Sequence, residues 1–316
     1  MIVTVTLNTC IDRALFVPSF ELNRTIRVKD IAYGMGGKPM VAAWVLRVMG
    51  IDSLALGLAA GPTGKQMKRM LDLHGVSTDF VWTEGDSRHN TLIICLDGSG
   101  QTTLSVDTLE VRSKHLDHFW KKFQNALDFA TCVVLGGSLP KGIEPAIFAE
   151  LVATAGKRNI PVVFDASGAG LTEGLKSRPM VIKPNRGELE ELTGSKITTL
   201  ADALRSASEI HAEHGSIVVT TLGALGAIAV LENGTYFIPP LPVSQVINSA
   251  GAGDAILAGL ALALSRREPI ENGLRIGFAA AAAVLLTPAT GDCKLEDILR
   301  FEKLVTLESI PSETIF

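Results

Sequence analysis

A short segment rich in small residues, Asn248-Ser-Ala-Gly-Ala-Gly-Asp254, combines a carboxylate with a backbone suited to negative charge. The sequence predicts a strand at Val243–Ile247 before it and an apolar helix at Asp254–Ser265 after it. Backbone N–H groups would then point from a helix N-terminus, where an anion is stabilised. The residues that would supply these groups are Gly251, Ala252 and Gly253. Asp254 could accept the proton of an attacking hydroxyl, as phosphoryl transfer requires. The alternative is an ordinary glycine-containing turn in which Asp254 only stabilises the helix dipole.

Two other glycine-rich segments do not fit the standard nucleotide-binding patterns. Gly61-Pro-Thr-Gly-Lys65-Gln66 has the wrong glycine spacing for a P-loop, and it carries Gln where Ser or Thr is needed. Gly34-Met-Gly-Gly-Lys-Pro39 ends in proline, which excludes the dinucleotide-binding fingerprint. A nucleotide must therefore be bound by some other arrangement.

Short β-branched strands alternate with helices over most of the chain, and these elements must position any active site. The alternation predicts an α/β fold with a doubly wound, mainly parallel sheet covered by helices on both faces. The predicted strands are Ile2–Leu7, Ser53–Leu58, Thr131–Leu135, Ile160–Phe164, Met180–Ile182, Ile217–Thr221 and Ala227–Leu231. The predicted helices are Lys38–Val48, Gly64–His74, Glu144–Arg158, Leu200–Glu213 and Asp254–Ser265.

Two segments interrupt this alternation, at about residues 12–34 and 88–107. Both have strand-like alternation of polar and apolar residues, and Asp97-Gly-Ser-Gly100 is typical of a hairpin turn. We expect them to form a small β-sheet lid that covers the cleft of a single domain spanning residues 1–316.

Composition excludes several classes of protein. Of the 316 residues, 47% are hydrophobic and 20% are charged, which is typical of a globular chain. The net charge of −4 gives no reason to expect binding to nucleic acid or to an anionic membrane. The four scattered cysteines indicate reduced thiols rather than a zinc site or disulfides. With neither a signal peptide nor an apolar stretch long enough to span a bilayer, we expect a soluble cytoplasmic protein.

An ordered set of motifs resembles the phosphofructokinase B group of ribokinase-like sugar kinases. The similarity is strongest to its phosphosugar branch, which includes 1-phosphofructokinases and tagatose-6-phosphate kinases. It runs almost end to end and finishes with the Gly251–Asp254 box. The other motifs that carry it are Thr6–Asp12, Gly36–Ala43, Gly136–Pro140, Asp165–Gly168, Lys183–Glu188 and Thr221–Gly226.

The resemblance implies which residues bind the sugar substrate. Asp12 would accept hydrogen bonds from sugar hydroxyls, and the backbone at Gly36 and Gly37 would let the sugar lie close. Arg27, Lys38 and Arg88 match positions that surround the phosphate already on the sugar, a task for which the arginine fork is suited. Ser138 belongs to the same substrate-binding set.

The resemblance also implies a donor site for ATP and a Mg²⁺ site. Lys183, Asn185, Thr221, Gly223 and Gly226 match the loops around ATP. The Asn185/Glu188 pair would organise Mg²⁺, mostly through water, since magnesium keeps several of its waters. The same two residues could form the capping box of a helix, and both interpretations can hold together.

Four departures from the phosphosugar pattern fall on the sugar side, at Thr9, Cys10, Pro39 and Val41. Valine at position 41 stands where the branch has an asparagine that bonds a sugar hydroxyl. The acceptor therefore remains open between a ketohexose phosphate (fructose 1-phosphate, fructose 6-phosphate or tagatose 6-phosphate) and an unphosphorylated sugar or nucleoside. A non-catalytic protein that binds a sugar phosphate is a third alternative. In relatives the lid often pairs with that of a second subunit, which implies a homodimer.

Overall fold

The computed structural model describes residues 1–311. Its strands are β1 (Ile2–Thr6), β2 (Cys10–Val17), β3 (Asp30–Gly36), β4 (Ser53–Ala59), β5 (Ser77–Trp82), β6 (Glu84–Gly85), β7 (Arg88–Cys95), β8 (Gly100–Leu104), β9 (Leu109–Glu110), β10 (Cys132–Gly137), β11 (Val162–Ala166), β12 (Val181–Ile182), β13 (Ile217–Thr221), β14 (Ala227–Leu231), β15 (Gly234–Ile238) and β16 (Glu308–Ile310). Its helices are α1 (Lys38–Val48), α2 (Gly61–His74), α3 (Ser113–Ala126), α4 (Ile147–Gly156), α5 (Ala169–Leu175), α6 (Arg186–Thr193), α7 (Leu200–His214), α8 (Ala252–Arg266), α9 (Ile270–Val284) and α10 (Leu295–Glu302).

Ten strands form the main sheet, in the order β16-β15-β14-β13-β12-β11-β10-β1-β4-β5. The seven strands from β13 to β5 are parallel, and β14 to β16 extend one edge by antiparallel pairing. The chain runs outward from β1 to β4 and β5, and then returns to build the other half from β10. The strand order therefore reverses between β1 and β10, where open α/β sheets bind their ligands.

Helices cover both faces of this sheet, as the sequence predicts. Helices α1, α2, α8, α9 and α10 form one apolar layer with the sheet, and α3 to α7 form the other. Helix α8 is buried continuously from Ala255 to Ala263, and small residues let it approach α9 closely. Burying a Leu or Ile side chain contributes about 1.5–3 kcal/mol, so this packing fixes α8 and with it the position of its first turn.

A second sheet of four strands, in the order β3-β2-β7-β8, forms the predicted lid and is called the lid sheet below. Strands β7 and β8 form a hairpin that pairs Cys95 with Gly100, which confirms the predicted turn. The inner face of the lid sheet packs against Ile247 and Ala250, directly before the Gly251–Asp254 box. Gln101 also accepts a hydrogen bond from the Ser249 N–H at 3.2 Å. The lid sheet and the loop before α8 are therefore one packed unit.

The strand predicted at Val243–Ile247 is wrong, because this segment joins neither sheet. Instead of pairing with a strand, the Ile247 N–H donates a hydrogen bond to the Leu285 carbonyl at 2.8 Å, at the end of α9. Within residues 1–311, no helix is both long enough and apolar enough to cross a membrane.

Candidate active site

Most of the predicted site residues lie where the chain leaves the carboxyl ends of the parallel strands. Ser138 follows β10, Lys183 follows β12, and Asp165 lies at the end of β11, while Asp12 lies near the start of β2, the strand that follows β1. The N-terminal ends of α1 and α8 face the same region, so strand ends and helix starts converge beneath the lid sheet.

The start of α8 has the geometry of an anion-binding turn. Gly251 is the N-cap and adopts a left-handed conformation (φ 81°, ψ −9°) that favours glycine. A Cβ atom at this position would lie 2.7 Å from the Gly291 nitrogen, so the backbone also needs glycine for space. Gly253 lies close to Lys183, whose Nζ would be 3.6 Å from an added Cβ. The first turn of α8 therefore lies beside an ammonium group.

Two lysines and two carboxylates form a buried charge cluster beside this turn. Lys38 Nζ donates to Asp165 Oδ1 at 2.6 Å and to Glu188 Oε1 at 2.8 Å. Lys183 Nζ lies 2.8 Å from Asp165 Oδ2. The Asp165 side chain is fully buried, and the Lys183 side chain is 4% exposed. Because a buried charge is costly unless it is paired, each member of the cluster holds its neighbours in place.

The charges around Asp165 and Lys38 keep these two side chains ionised. Burial alone would raise the pKa of Asp165, but Lys183 and Lys38 hold it below its ordinary value. Burial alone would lower the pKa of Lys38, but Asp165 and Glu188, with help from Asp254, raise it above its ordinary value. The Lys38 ammonium group is therefore positively charged at neutral pH.

Asp254 lies in the first turn of α8, at the edge of this cluster. The residue as a whole is half-buried, but its carboxyl group is surrounded by protein atoms. Burial, followed by the charge of Asp165, raises its pKa from 3.8 to about 6, against the opposing effect of Lys38 and Lys183. A carboxylate with a pKa near 6 is ionised at neutral pH and is a stronger proton acceptor than an ordinary aspartate.

Asp12 lies at the lid end of the site. Its Oδ1 accepts a hydrogen bond from Asn90 Nδ2 at 2.8 Å, across the paired strands β2 and β7. Burial raises its pKa, and the hydrogen bond from Asn90 and the nearby side chain of Thr290 oppose that rise. An added Cβ at Gly36 would lie 2.3 Å from Asp12 Oδ1, so only glycine leaves this carboxylate room. Gly37 adopts φ 88° as the N-cap of α1.

Arg88 and Ser138 are also brought together. Arg88 donates one Nη to Ser105 Oγ at 2.8 Å and the other to Ser138 Oγ at 3.2 Å and to the Asn8 carbonyl at 3.3 Å. Asp107 lies 3.7 Å from the same guanidinium. Arg88 is 7% exposed, so its orientation is fixed by these partners.

The other two predicted phosphate ligands have different surroundings from Arg88. Arg27 is exposed on the loop between β2 and β3, and among residues 1–311 it has no hydrogen bond or ion pair with the site. Lys38 is at the site, but Asp165 and Glu188 hold its ammonium group on the side of the charge cluster. Of these three basic residues, Arg88 is the one whose contacts within residues 1–311 place it beside Ser138, and a phosphate contact by Arg27 or Lys38 stays a prediction.

The Asn185/Glu188 pair forms the capping box of α6. Asn185 Oδ1 accepts from the Glu188 N–H at 3.0 Å, and Glu188 Oε2 accepts from the Asn185 N–H at 2.8 Å. A carboxylate offers about four lone-pair sites, so Glu188 can still bind water beyond its bonds to Asn185 and Lys38. The described residues contain no group of three or more His, Cys, Asp or Glu side chains placed to hold a metal. The arrangement fits an ion held through water, not one caged by protein ligands.

The predicted ATP loops lie side by side at the ends of β12 and β13. Asn185 forms a parallel bridge with Thr221, and the Thr221 N–H donates to the Pro184 carbonyl at 3.2 Å. Gly223 and Gly226 follow in a tight turn with φ values of 62° and 89°. This turn lies next to the loop that carries Lys183 and Glu188.

The four departures from the phosphosugar pattern have structural roles. Thr9 donates to the Leu58 carbonyl at 2.6 Å, and Pro39 occupies the first turn of α1. Cys10 is buried beside Asp12, and burial followed by the Asp12 charge raises the pKa of its thiol to about 12. Val41 is fully buried, and its methyl groups would lie 2.6 and 3.1 Å from a Cβ added at Gly291. Val41 therefore packs against the loop that also touches Gly251.

Sequence reasoning assigns no role to two residues at the centre of the site, Asp165 and Thr290. Asp165 bonds both lysines, and its position at the end of a predicted buried strand was a usable signal. Thr290 lies between Asp12 and Gly251, but its neighbours are far away in sequence and no local pattern marks it.

Similarity to known proteins agrees with this geometry. Residues 3–298 match the pfkB family carbohydrate kinase model. The chain is 33% identical to a 1-phosphofructokinase of Haloferax volcanii, over 98% of this chain and 99% of that protein. It is 28% identical to a 1-phosphofructokinase of Bacillus subtilis, over 92% of this chain and 94% of that protein. A solved structure described as a possible 1-phosphofructokinase of Thermotoga maritima is 27% identical, with a TM-score of 0.88 over 98% of this chain and 100% of that one.

Proposed function

The chain belongs to the pfkB family of carbohydrate kinases, which transfer phosphate to a hydroxyl group, and from this premise we propose that it phosphorylates a ketohexose phosphate with ATP. Fructose 1-phosphate is the first candidate acceptor, because two relatives that align over nearly the whole chain are 1-phosphofructokinases. The observation that carries the proposal is Asp254, a carboxylate with a pKa of about 6 beside a glycine-capped helix start and two buried lysines.

In the proposed reaction, Asp254 takes the proton from the attacking sugar hydroxyl. The hydroxyl oxygen forms a bond to the γ-phosphorus of ATP as the bond from that phosphorus to the β,γ-bridging oxygen breaks, which releases ADP. Negative charge on the transferring group would meet the N–H groups of Gly251, Ala252 and Gly253, and the ammonium groups of Lys38 and Lys183. Such preorganised groups are often the largest contribution to catalysis, and general-base catalysis adds about 10²–10⁴-fold.

The donor would lie along the loops at the ends of β12 and β13, with Thr221, Gly223 and Gly226 close to it. Asn185 and Glu188 would hold Mg²⁺ through water. Bound with ATP, Mg²⁺ would supply positive charge to the β- and γ-phosphates.

The acceptor would lie beneath the lid sheet, with Asp12 receiving hydrogen bonds from sugar hydroxyls. Gly36 and Gly37 would let the ring approach the backbone, and Ser138 would lie beside Arg88. Arg88 is the cation of this chain placed to meet the sugar's phosphate, and a phosphate could replace Asp107 at its guanidinium.

An unphosphorylated sugar is the second candidate acceptor. Arg88 already donates hydrogen bonds to three protein oxygens, and Asp107 adds a negative charge beside it. Within residues 1–311 Arg27 has no contact with the site, and Asp165 and Glu188 pair with Lys38, so little positive charge is left unpaired at the sugar end.

Steady-state kinetics on a substrate panel tests the proposal. Wild-type protein is assayed with ATP, Mg²⁺ and fructose 1-phosphate, fructose 6-phosphate or tagatose 6-phosphate, each beside its free sugar. We expect a phosphosugar to have the highest kcat/KM, and a preference for the free sugars would instead support the second candidate. The Asp254→Asn variant should lower kcat by at least about 10²-fold while ATP binding, measured by calorimetry, persists. Full activity of that variant would exclude Asp254 as the base.

We also propose that two copies pair through the outer face of the lid sheet. Register places Tyr33, Arg13, Thr91 and Leu104 opposite one another in one row of this face. Tyr33 is 46% exposed, Leu104 is 54% exposed, and Ile31 on the next row is 49% exposed. Exposed apolar side chains grouped on one sheet face are typical of an interface. Light scattering should give twice the mass of the chain, and Ile31→Asp should give the monomer mass if the face is the interface.

A further inference from the structure

Thr290 carries a buried hydroxyl that the proposed chemistry does not use. The residue lies in the loop after α9 and is 3% exposed. Within residues 1–311, its Oγ1 has no hydrogen-bond partner of regular geometry. A buried hydroxyl without a partner is unfavourable, so its retention at this place needs an explanation.

The surroundings of Thr290 place it inside the substrate site. Thr290 lies beside Asp12, because its backbone passes next to Gly34, the residue that pairs with Asp12 in the lid sheet. Thr290 is also among the groups that lower the pKa of the Asp12 carboxyl. Its backbone nitrogen would lie 2.4 Å from a Cβ added at Gly34 of the lid sheet. Its methyl carbon would lie 3.1 Å from a Cβ added at Gly251. Thr290 therefore stands between the carboxylate proposed to read the sugar and the turn proposed to bind the transferring phosphate.

Other buried hydroxyls without a partner are differently placed. Thr4, Ser53 and Thr220 lie on strands of the main sheet, Ser208 lies in α7, and Ser216 lies between α7 and β13. Thr290 differs from these residues because it lies next to glycines of both the lid sheet and the first turn of α8.

The neighbouring position 41 carries an apolar side chain where the resemblance implies an asparagine. Val41 is fully buried and packs against Gly291, the residue that follows Thr290. A valine side chain cannot bond a sugar hydroxyl. The nearby Thr290 hydroxyl can both donate and accept, whereas ionised Asp12 can only accept.

We propose that the Thr290 hydroxyl binds a hydroxyl of the acceptor sugar together with Asp12, and so supplies the polar contact that Val41 cannot make. The sugar hydroxyl donates to the Asp12 carboxylate and accepts a hydrogen bond from Thr290. This inference rests on the proposed sugar kinase function and adds a specificity-determining residue to it.

The test compares Thr290→Val, which removes the hydroxyl at nearly constant shape, with Thr290→Ser, which keeps it. With the best sugar of the panel, Thr290→Val should lower kcat/KM about two- to tenfold, the size of one neutral hydrogen bond. Thr290→Ser should stay within about twofold of wild type, and KM for ATP should be unchanged in both variants. Thr290→Ala serves as a second hydroxyl-free variant if the valine protein does not fold.

Monodeoxy analogues of the same sugar identify the contact. For wild type, kcat/KM should be higher for the sugar than for each analogue. In Thr290→Val, this ratio of kcat/KM values should fall by about two- to tenfold for the analogue that lacks one particular hydroxyl, and for no other. The ratio between sugar and analogue is internal to each protein sample, so partial inactivation does not affect it. Equal discrimination at every position in Thr290→Val and wild type would overturn the inference, as would equal impairment of Thr290→Ser and Thr290→Val. Absence of wild-type turnover with every sugar would instead overturn the proposed function, and the inference with it.

Discussion

Replacing Asp254 with asparagine should make the folded protein more stable at neutral pH, although it removes the proposed base. Burial, followed by Asp165, raises the pKa of Asp254 from 3.8 to about 6. When a carboxyl group has a higher pKa in the folded than in the unfolded chain, folding favours its protonated form. Its contribution to stability is therefore complete only below the unfolded pKa. That contribution is lost as the pH rises through the folded pKa. Ionised Asp254 therefore destabilises the fold increasingly from about pH 4 to pH 6, and to the full extent above that range.

The magnitude follows from the shift of roughly two pKa units. At 1.36 kcal/mol per unit, the ionised carboxylate costs up to about 3 kcal/mol at pH 7.5, and about half of that at pH 5. Asparagine has a similar shape and no charge, so Asp254→Asn should recover much of this difference. Urea unfolding of both proteins at pH 7.5 and pH 5 measures it. Asp52→Asn is the matched control, since Asp52 is an exposed partner of Arg47 and should change stability by less than about 1 kcal/mol.

Two results would refute this reasoning. The first is an Asp254→Asn protein that is no more stable than wild type at pH 7.5. The second is a stability difference that stays constant between pH 7.5 and pH 5, since the effect depends on titration of one carboxyl.

Three further outcomes are expected. Lys183→Met should move the acidic limb of the kcat/KM profile to higher pH, because Lys183 lowers the pKa of Asp254; an unmoved limb would separate this lysine from the base. In urea unfolding, Gly251→Ala should destabilise the protein by at least about 1 kcal/mol more than the control Gly98→Ala. Both glycines have φ near 80°, so the backbone strain is similar, but only at Gly251 does the added Cβ come within 3 Å of other backbone atoms. Arg88→Met should lower kcat/KM for a phosphosugar by about 10- to 100-fold, which is the size of charge-assisted hydrogen bonds, and should leave KM for ATP unchanged. An equal loss of kcat/KM with the free sugar would contradict a phosphate contact.

The secondary structure was largely predictable because it depends on local sequence. Helix Lys38–Val48 and strands Ile217–Thr221 and Ala227–Leu231 have the predicted bounds. Helix α2 begins at Gly61 instead of Gly64, since Pro62 suits a first helical turn. The strand predicted at Val243–Ile247 failed for a nonlocal reason. A strand needs a partner edge, and the N–H of Ile247 bonds to the end of α9 instead.

The sequence by itself determined the α/β alternation, the lid hairpin and the placement of Asp254 in the first turn of a buried helix. Each of these depends on residues within a few positions of one another. Only the tertiary structure decided the electrostatics around Asp254, because Lys38 meets its carboxylate partners 127 and 150 residues away. It also decided that Lys38 belongs to the charge cluster and that Thr290 lies beside Asp12. Burial and long-range pairing set these contacts, and neither can be derived from the spacing of residues along the chain.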